Sequence, residues 1–170
     1  NAELDLENYS SPFINLRMNS IFDLAEVERI LVKEFKASIP GSVTGQGKLS
    51  LELATAAAGT SENLAYKGSL EVLNSSFNSQ KLSSAIGAIN GKIDFSQNSL
   101  KWDKLKFQYL NQACVTSGVV SNFSAPTGSI YLAAKDLSLN AEFASKGKVL
   151  NLSQCSGQYF NSSFTSQGTV

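Results

Sequence analysis

Fourteen carboxylates and two cysteines are the side chains of this 170-residue sequence best suited to catalysis, because the sequence contains no histidine. The missing histidine excludes Ser-His-Asp and Cys-His arrangements, histidine-based zinc sites and the commonest general base. Two carboxylates on facing elements remain a catalytic option, since most glycoside hydrolases use such a pair.

The positions of the carboxylates do not predict such a pair. Glu3, Asp5 and Glu7 alternate with apolar residues in one short segment, and four others cap or flank a predicted helix. Asp94, Asp103 and Asp136 alternate with apolar residues or lie at turns, which is typical of carboxylates on a solvated surface. The glycine-rich segment at 41–50 lacks the Gly-Lys-Ser/Thr order of a phosphate-binding loop. We therefore predict a protein that is not an enzyme and that has no metal or cofactor.

Cys114 and Cys155 lie 41 positions apart and have neither metal-ligand nor redox-motif spacing. Two interpretations are open: a disulfide bond, or two buried free thiols. In an oxidising compartment a bridge over so long a loop would contribute about 3 to 4 kcal/mol by the loop-entropy estimate.

The charge balance argues against nucleic acid as a partner, since 14 basic residues face 14 acidic ones. Charged residues are 16% of the chain, below the roughly 25% of an average domain, and Ser and Asn supply the polarity instead. This composition is common in extracytoplasmic β proteins. The length predicts a single domain over 1–170, and no apolar run is long enough to cross a bilayer. The first residue, Asn1, is not Met, so we expect a fragment or a chain whose leader has been removed.

The segment at 91–109, GKIDFSQNSLKWDKLKFQY, alternates apolar and polar residues with a period of two. That period predicts strands with one apolar face that is shielded from water, which we call the dry face. From Gly47 onward, glycines open further alternating runs at irregular spacing, which favours an antiparallel meander over a solenoid. The predicted strands are 3–7, 13–20, 46–54, 64–74, 90–96, 99–109, 114–122, 127–134, 136–143, 148–152 and 157–164.

One helix is predicted near the N-terminus, over 24–36. Leu24, Val27 and Ile30 recur at helical spacing, and Asp23 with Glu26 three residues later forms a capping-box pattern. The segment around 79–90 shows helical spacing but contains poor helix formers, so we expect a connecting segment there. The predicted fold is mainly β: a curled, open antiparallel sheet with one short helix near the N-terminus.

The order of these motifs resembles the AsmA-like proteins of the Gram-negative periplasm, a group that includes TamB-type proteins. SPFINLRMNSIFDLAEV, then GKLSLELATAAAG, YKGSLEVLNSSFN and INGKIDFSQNSLKWDKLKFQYLNQACVTSGVVSNF carry the resemblance, over roughly 8–145. It implies an open half-barrel with an apolar concave face, a role in outer-membrane biogenesis, and lipid acyl chains or other envelope proteins as partners. It also implies a periplasmic location with an inner-membrane anchor outside these residues. No catalytic residues come with this family.

Whether the dry face is a closed core or the wall of a lipid groove is left open by the sequence. If the sheet stays open, we expect a groove lined by Leu49, Leu51, Leu53, Leu70, Val72, Ile93, Phe95, Trp102, Leu105, Phe107, Ile130 and Leu132. We expect the predicted helix 24–36 to pack over part of this groove. A glycan-binding β-sandwich, and a structural or protein-interaction module, are the alternatives.

Overall fold

The computed structural model describes residues 2–7, 13–35, 40–56, 64–147 and 149–169. They form eleven strands and one helix: β1 (Ala2–Glu7), β2 (Phe13–Asp23), α1 (Leu24–Phe35), β3 (Ser42–Ala56), β4 (Leu64–Asn78), β5 (Ile86–Ser96), β6 (Ser99–Tyr109), β7 (Gln112–Ser121), β8 (Thr127–Ala134), β9 (Leu137–Lys146), β10 (Val149–Tyr159) and β11 (Ser162–Thr169).

All eleven strands belong to one sheet, in which the spatial order is the chain order from β1 to β11. Every neighbouring pair is antiparallel. The sheet is open, with β1 at one edge and β11 at the other. The predicted mainly antiparallel, open sheet with one helix near the N-terminus is therefore confirmed.

The sheet is a single layer. Substantial packing among the described elements joins each strand to its neighbours, and α1 to β2 and β3. No second sheet packs on the first within these ranges, so the β-sandwich that the glycan-binding alternative assumed is wrong. A purely consecutive meander explains this arrangement, because no long connection brings a later strand back over an earlier one.

Helix α1 begins where the sequence predicts. The Asp23 side chain accepts a hydrogen bond from the backbone N of Ala25 through Oδ1, at 2.9 Å, and so caps the first turn. Glu28 joins the helix to the sheet, since its Oε2 accepts a hydrogen bond from the backbone N of Val43 at 2.6 Å. Residues 36–39, which include the predicted last residue of the helix, lie outside the described ranges.

Three sequence predictions about strands are corrected by the structure. Residues 86–90 are part of β5 and not a connection, and β3 already begins at Ser42. At the C-terminal end, the predicted strand 157–164 spans a turn, because Phe160 and Asn161 connect β10 to β11. Phe160 has a φ of 51°, in the left-handed region that a tight turn uses.

A line of bulges crosses four neighbouring strands, β3 to β6. Gly45, Asn74, Ala88 and Lys104 all have positive φ, and the register shifts beside each of them. The Asn90 side chain holds two of these irregularities: Oδ1 accepts from the Asn74 backbone N at 2.9 Å, and Nδ2 donates to the Ala88 carbonyl at 2.8 Å. Bulges bend strands and increase their twist, so the sheet is bent along this line.

Very little of the chain is buried. Among the described side chains, Val72 is the one buried apolar residue, at 7% exposure, and Ser75 and Ser79 are the buried polar ones. The accessible surface is 11864 Å², whereas a globular monomer of this mass exposes about 8,100 Å² by size scaling. The excess is what a single-layer sheet leaves uncovered.

Candidate apolar binding face

The strand register brings all the predicted groove residues to one face of the sheet. Directly opposed residues in an antiparallel pair share a face, and Leu49, Leu70, Ile93 and Trp102 form one continuous row across four strands. The row continues through Gly118 to Ile130 and beyond. We call this side the apolar face. Its predicted members are Leu49, Leu51, Leu53, Leu70, Val72, Ile93, Phe95, Trp102, Leu105, Phe107, Ile130 and Leu132.

The apolar face extends further than the sequence prediction. Residues on β2, on the ends of β6 and β7, and on β9 and β10 share it: Leu16, Met18, Phe22, Leu100, Val120, Leu139, Phe143 and Leu152. The alternation within each of these strands indicates which of its residues are on an apolar side. Only the register shows that the apolar sides of all these strands form one face of the sheet. The face thus runs across the whole sheet, ten strand spacings or about 48 Å.

The side chains of the apolar face are open to solvent from above. Val72 is buried at 7% exposure, and the other predicted members are half-buried. Neighbouring side chains in the same layer cover their flanks, and no second sheet of the described residues packs over them. The helix contacts β2 and β3, and the expectation that it covers part of the apolar face stays a prediction.

Five glycines of the apolar face lie beneath aromatic rings from the adjacent strand. A Cβ built on each glycine would come within 3.0 Å of a ring carbon, a separation that real Cβ atoms do not reach. The directly opposed pairs are Gly47 with Phe22, Gly68 with Phe95, Gly118 with Trp102, Gly128 with Phe143, and Gly157 with Phe164. The rings lie low against the backbone, so the face is smoother than its aromatic content suggests.

The opposite face carries the charges. Every charged residue of the described interior strands β3 to β10 that has a partner in the register falls on that face, including Lys48, Glu71, Lys92 and Asp103, which oppose one another in one row of alternating sign. Opposite charges directly across a sheet attract, so this row stabilises the polar face in water. By the same register, none of these paired charged residues lies on the apolar face.

A cluster on the polar face surrounds Glu52. Lys67 Nζ lies 2.8 Å from Glu52 Oε2, and Arg17 Nε donates a hydrogen bond to Glu52 Oε1 at 3.1 Å. Hydrogen bonds from Lys67 and then from Arg17 lower the pKa of Glu52 below its ordinary value. Both cations are well exposed, so this cluster is a solvated ion pair and adds little stability.

A shallow depression of about 530 Å³ also lies on the polar side, over β2 to β6, with the Glu52 cluster and Lys92, Asp94 and Lys101 at its edges. Most of its lining residues are polar or charged residues of that side, and Met18, Leu51, Gly68 and Phe95 also line it. The apolar face as a whole is one open surface of a single-layer sheet, and its predicted role as a groove stays a prediction.

The two cysteines are free thiols, half-buried and both on the apolar face. Cys114 is on β7 and Cys155 on β10, so β8 and β9 lie between them. Three strand spacings amount to about 14 Å, whereas the Cα atoms of a disulfide lie about 4.4–6.8 Å apart. The disulfide interpretation is therefore wrong for this fold, and the thiols are less buried than the other interpretation assumed.

No three metal-ligating side chains come together in the ranges that the structure describes. Within those ranges, no helix is long and apolar enough to span a membrane. Comparisons with protein-family models, with curated proteins and with solved structures found no match to this chain. The resemblance to AsmA-like proteins accordingly stays a prediction.

Proposed function

We propose that this protein is a non-enzymatic module that binds lipid acyl chains along the apolar face of its sheet. The observation that carries the proposal is the half-buried state of that face: its Leu, Ile, Val and aromatic side chains are packed against one another sideways but lack a second layer. Monomeric proteins rarely expose a contiguous apolar surface larger than a few hundred Å², and a larger one marks an interaction site.

The distribution of charge favours an apolar ligand over a polar one. By the register, the charged residues of β3 to β10 that have a strand partner fall on the opposite face, so an acyl chain on the apolar face would meet none of them. A glycan ligand would need polar groups beside the aromatic rings. Asp94, however, lies on the side of the sheet opposite to Trp102.

The cellular role that we propose follows from the resemblance to AsmA-like proteins. It is lipid transfer or outer-membrane biogenesis in the periplasm of a Gram-negative bacterium, with an anchor outside these residues. An open sheet with a continuous apolar face suits such a role, because a lipid can enter from above or along the strands without the opening of a lid.

The test is native mass spectrometry, with organic extraction, of the protein purified from a bacterial periplasm. Ile93→Asn with Ile130→Asn places two amides in the centre of the apolar face. Lys92→Asn with Ser129→Asn is the matched control, at neighbouring positions on the polar face. We expect phospholipid to copurify with the native protein and the control and to be lost from the apolar-face variant, with unchanged far-UV circular dichroism.

Two results would overturn the proposal. The first is a lipid-free native protein that does not bind an apolar dye. The second is a lipid that stays bound to the Ile93 and Ile130 variant as tightly as to the native protein, which would locate the ligand elsewhere.

A further inference from the structure

Tyr131 is the one aromatic residue of β6 to β10, strands that the structure describes in full, whose side chain lies on the polar face. It stands between Ile130 and Leu132 of the apolar face, and the register places it opposite Asn140 on β9. The other aromatic residues of these strands lie on the apolar face: Trp102, Phe107, Tyr109, Phe143 and Tyr159. Tyr131 is 45% exposed, so its ring is accessible to a ligand.

Uncharged hydrogen-bonding side chains surround Tyr131. Asn140 and Ser156 continue its row across β9 and β10, and Ser138 and Gln158 belong to the next row on the same face. We call these five residues the Tyr131 patch. Amides and hydroxyls both donate and accept hydrogen bonds. None of these side chains forms a hydrogen bond with another residue in the ranges that the structure describes, so all of them can bond to a ligand.

The shape of the patch suits an extended ligand. Two shallow depressions of about 300 and 350 Å³ adjoin the ring, and Tyr131, Ser138 and Gln158 line both of them. Two strand spacings, or about 10 Å, separate β8 from β10. Thr116 holds the centre of the patch in place, since its Oγ1 donates a hydrogen bond to the Tyr131 carbonyl at 2.7 Å.

The charges around the patch disfavour an anionic ligand. Glu142 lies two positions from Asn140 on the same face of β9, diagonally across from Tyr131. Lys135 and Asp136, at the turn after β8, line one depression and offset each other. A carboxylate accepts hydrogen bonds from hydroxyl groups and repels anions. The patch therefore suits a neutral ligand rich in hydroxyl groups and not a nucleic acid, which requires cations for its phosphates.

We propose that the Tyr131 patch binds a neutral oligosaccharide, with one sugar ring stacked on Tyr131 and its hydroxyl groups bonded to the amides and hydroxyls beside it. Sugar rings of the glucose type present C–H bonds on both flat faces, and these polarised hydrogens are attracted to the negative face of an aromatic ring. Their hydroxyl groups point outward, toward side chains such as Asn140 and Gln158. The site lies on the face opposite to the acyl-chain site, so it does not rest on lipid binding.

The test is saturation-transfer NMR and isothermal titration of the intact chain with cellotetraose and with chitotetraose. Both are neutral and consist of rings with flat C–H faces. Tetragalacturonate is the control ligand, because it has a similar length but carries a carboxylate on each ring. We expect saturation of the ring C–H protons of at least one neutral tetrasaccharide, and none for tetragalacturonate.

Variants locate the site. Tyr131→Phe keeps the ring and should bind within about two-fold of the native protein, whereas Tyr131→Ala should bind about three- to ten-fold more weakly. Asn140→Ala should bind about two- to ten-fold more weakly, because it removes a hydrogen-bonding amide. Tyr159→Ala is the matched control: Tyr159 is 57% exposed but lies on the apolar face, so its loss should leave saccharide binding unchanged.

Four outcomes would overturn the inference. Neither neutral tetrasaccharide binds the native protein, or Tyr131→Ala binds as tightly as the native protein. Tyr159→Ala loses binding to the same extent as Tyr131→Ala, which would mean that the ring on the polar face has no special role. Tetragalacturonate binds as tightly as the neutral sugars, which would indicate a cationic site elsewhere on the chain.

Discussion

The indole ring of Trp102 lies over Gly118 on the neighbouring strand, so closely that a Cβ at Gly118 would come 2.6 Å from Cη2 of the ring. The indole Nε1 donates to Thr116 Oγ1 at 3.3 Å, which holds the ring in this orientation. Glycine is a weak strand residue by itself, because it loses more conformational freedom on folding than any other residue. Here its lack of a side chain lets the largest residue of the sequence lie low on the sheet.

Gly118→Ala should therefore destabilise the protein. The added methyl group forces the Trp102 ring off the sheet, and overpacking of this kind costs about 1–3 kcal/mol. Gly87→Ala, where the Cβ position is open, should instead be neutral or stabilise by about 0.4–1 kcal/mol. Urea unfolding of both variants measures the difference, and an equal effect at the two sites would contradict the proposed role of the ring.

Glu28→Ala should detach α1 from the sheet, because it removes the carboxylate that accepts the Val43 backbone N–H. Hydrogen bonds to charged groups contribute about 1.5–3 kcal/mol, and a partly solvated one contributes at the lower end. Glu26→Ala is the control, since Glu26 pairs with Arg29 on the exposed side of the same helix. We expect stronger binding of an apolar dye by the Glu28 variant alone. Equal dye binding by the two variants would mean that the helix is held by other contacts.

Glu52→Gln should change how stability depends on pH. The folded-state pKa of Glu52 is lowered by Lys67 and Arg17, so its contribution is fully present above the unfolded pKa, about 4.3. The contribution is lost as the pH falls through the folded-state pKa. Native protein and variant should therefore differ in unfolding midpoint at pH 7, and the difference should shrink as the pH falls through the folded-state pKa.

Salt provides the control for this prediction. The ion pairs are exposed, so high ionic strength should reduce the difference at pH 7. Glu142→Gln, at an exposed carboxylate on β9 outside the cluster, is the matched variant. A difference between native protein and the Glu52 variant that stays constant from pH 7 to pH 3 would be inconsistent with a lowered pKa.

Both cysteines should react as free thiols in the folded protein. Alkylation with iodoacetamide without denaturant should add two labels per chain, because Cys114 and Cys155 are half-buried and two strands lie between them. Mild oxidation of the native protein should form no bond between them. A bridged chain on a non-reducing mass spectrum would require a different strand order.

Much of the fold follows from local sequence signals. The period of two at 91–109 determines which side chains of β5 and β6 are dry, and the Asp23 cap determines where α1 begins. The predictions were wrong where local signals conflict. At 86–90, helical spacing combined with poor helix formers indicated a connection, but β4 and β6 supply ladder partners that make the segment a strand. Within 157–164, the turn at Phe160 and Asn161 has no glycine or proline to mark it.

The residues of the candidate site were predictable as a set, but their environment was not. The alternation predicts that Ile93, Trp102 and Ile130 lie on the apolar faces of their strands, but strands in a sandwich core and in an open sheet show the same alternation. The period of two separates the two faces of a strand and does not indicate what packs on either of them. What lies above that face depends on whether a distant strand returns over it. The sequence alone determined the two faces of each strand, the single helix and the lack of histidine chemistry. Only the tertiary structure decided that the eleven strands pair in chain order as one layer, which leaves the apolar face uncovered and separates the cysteines.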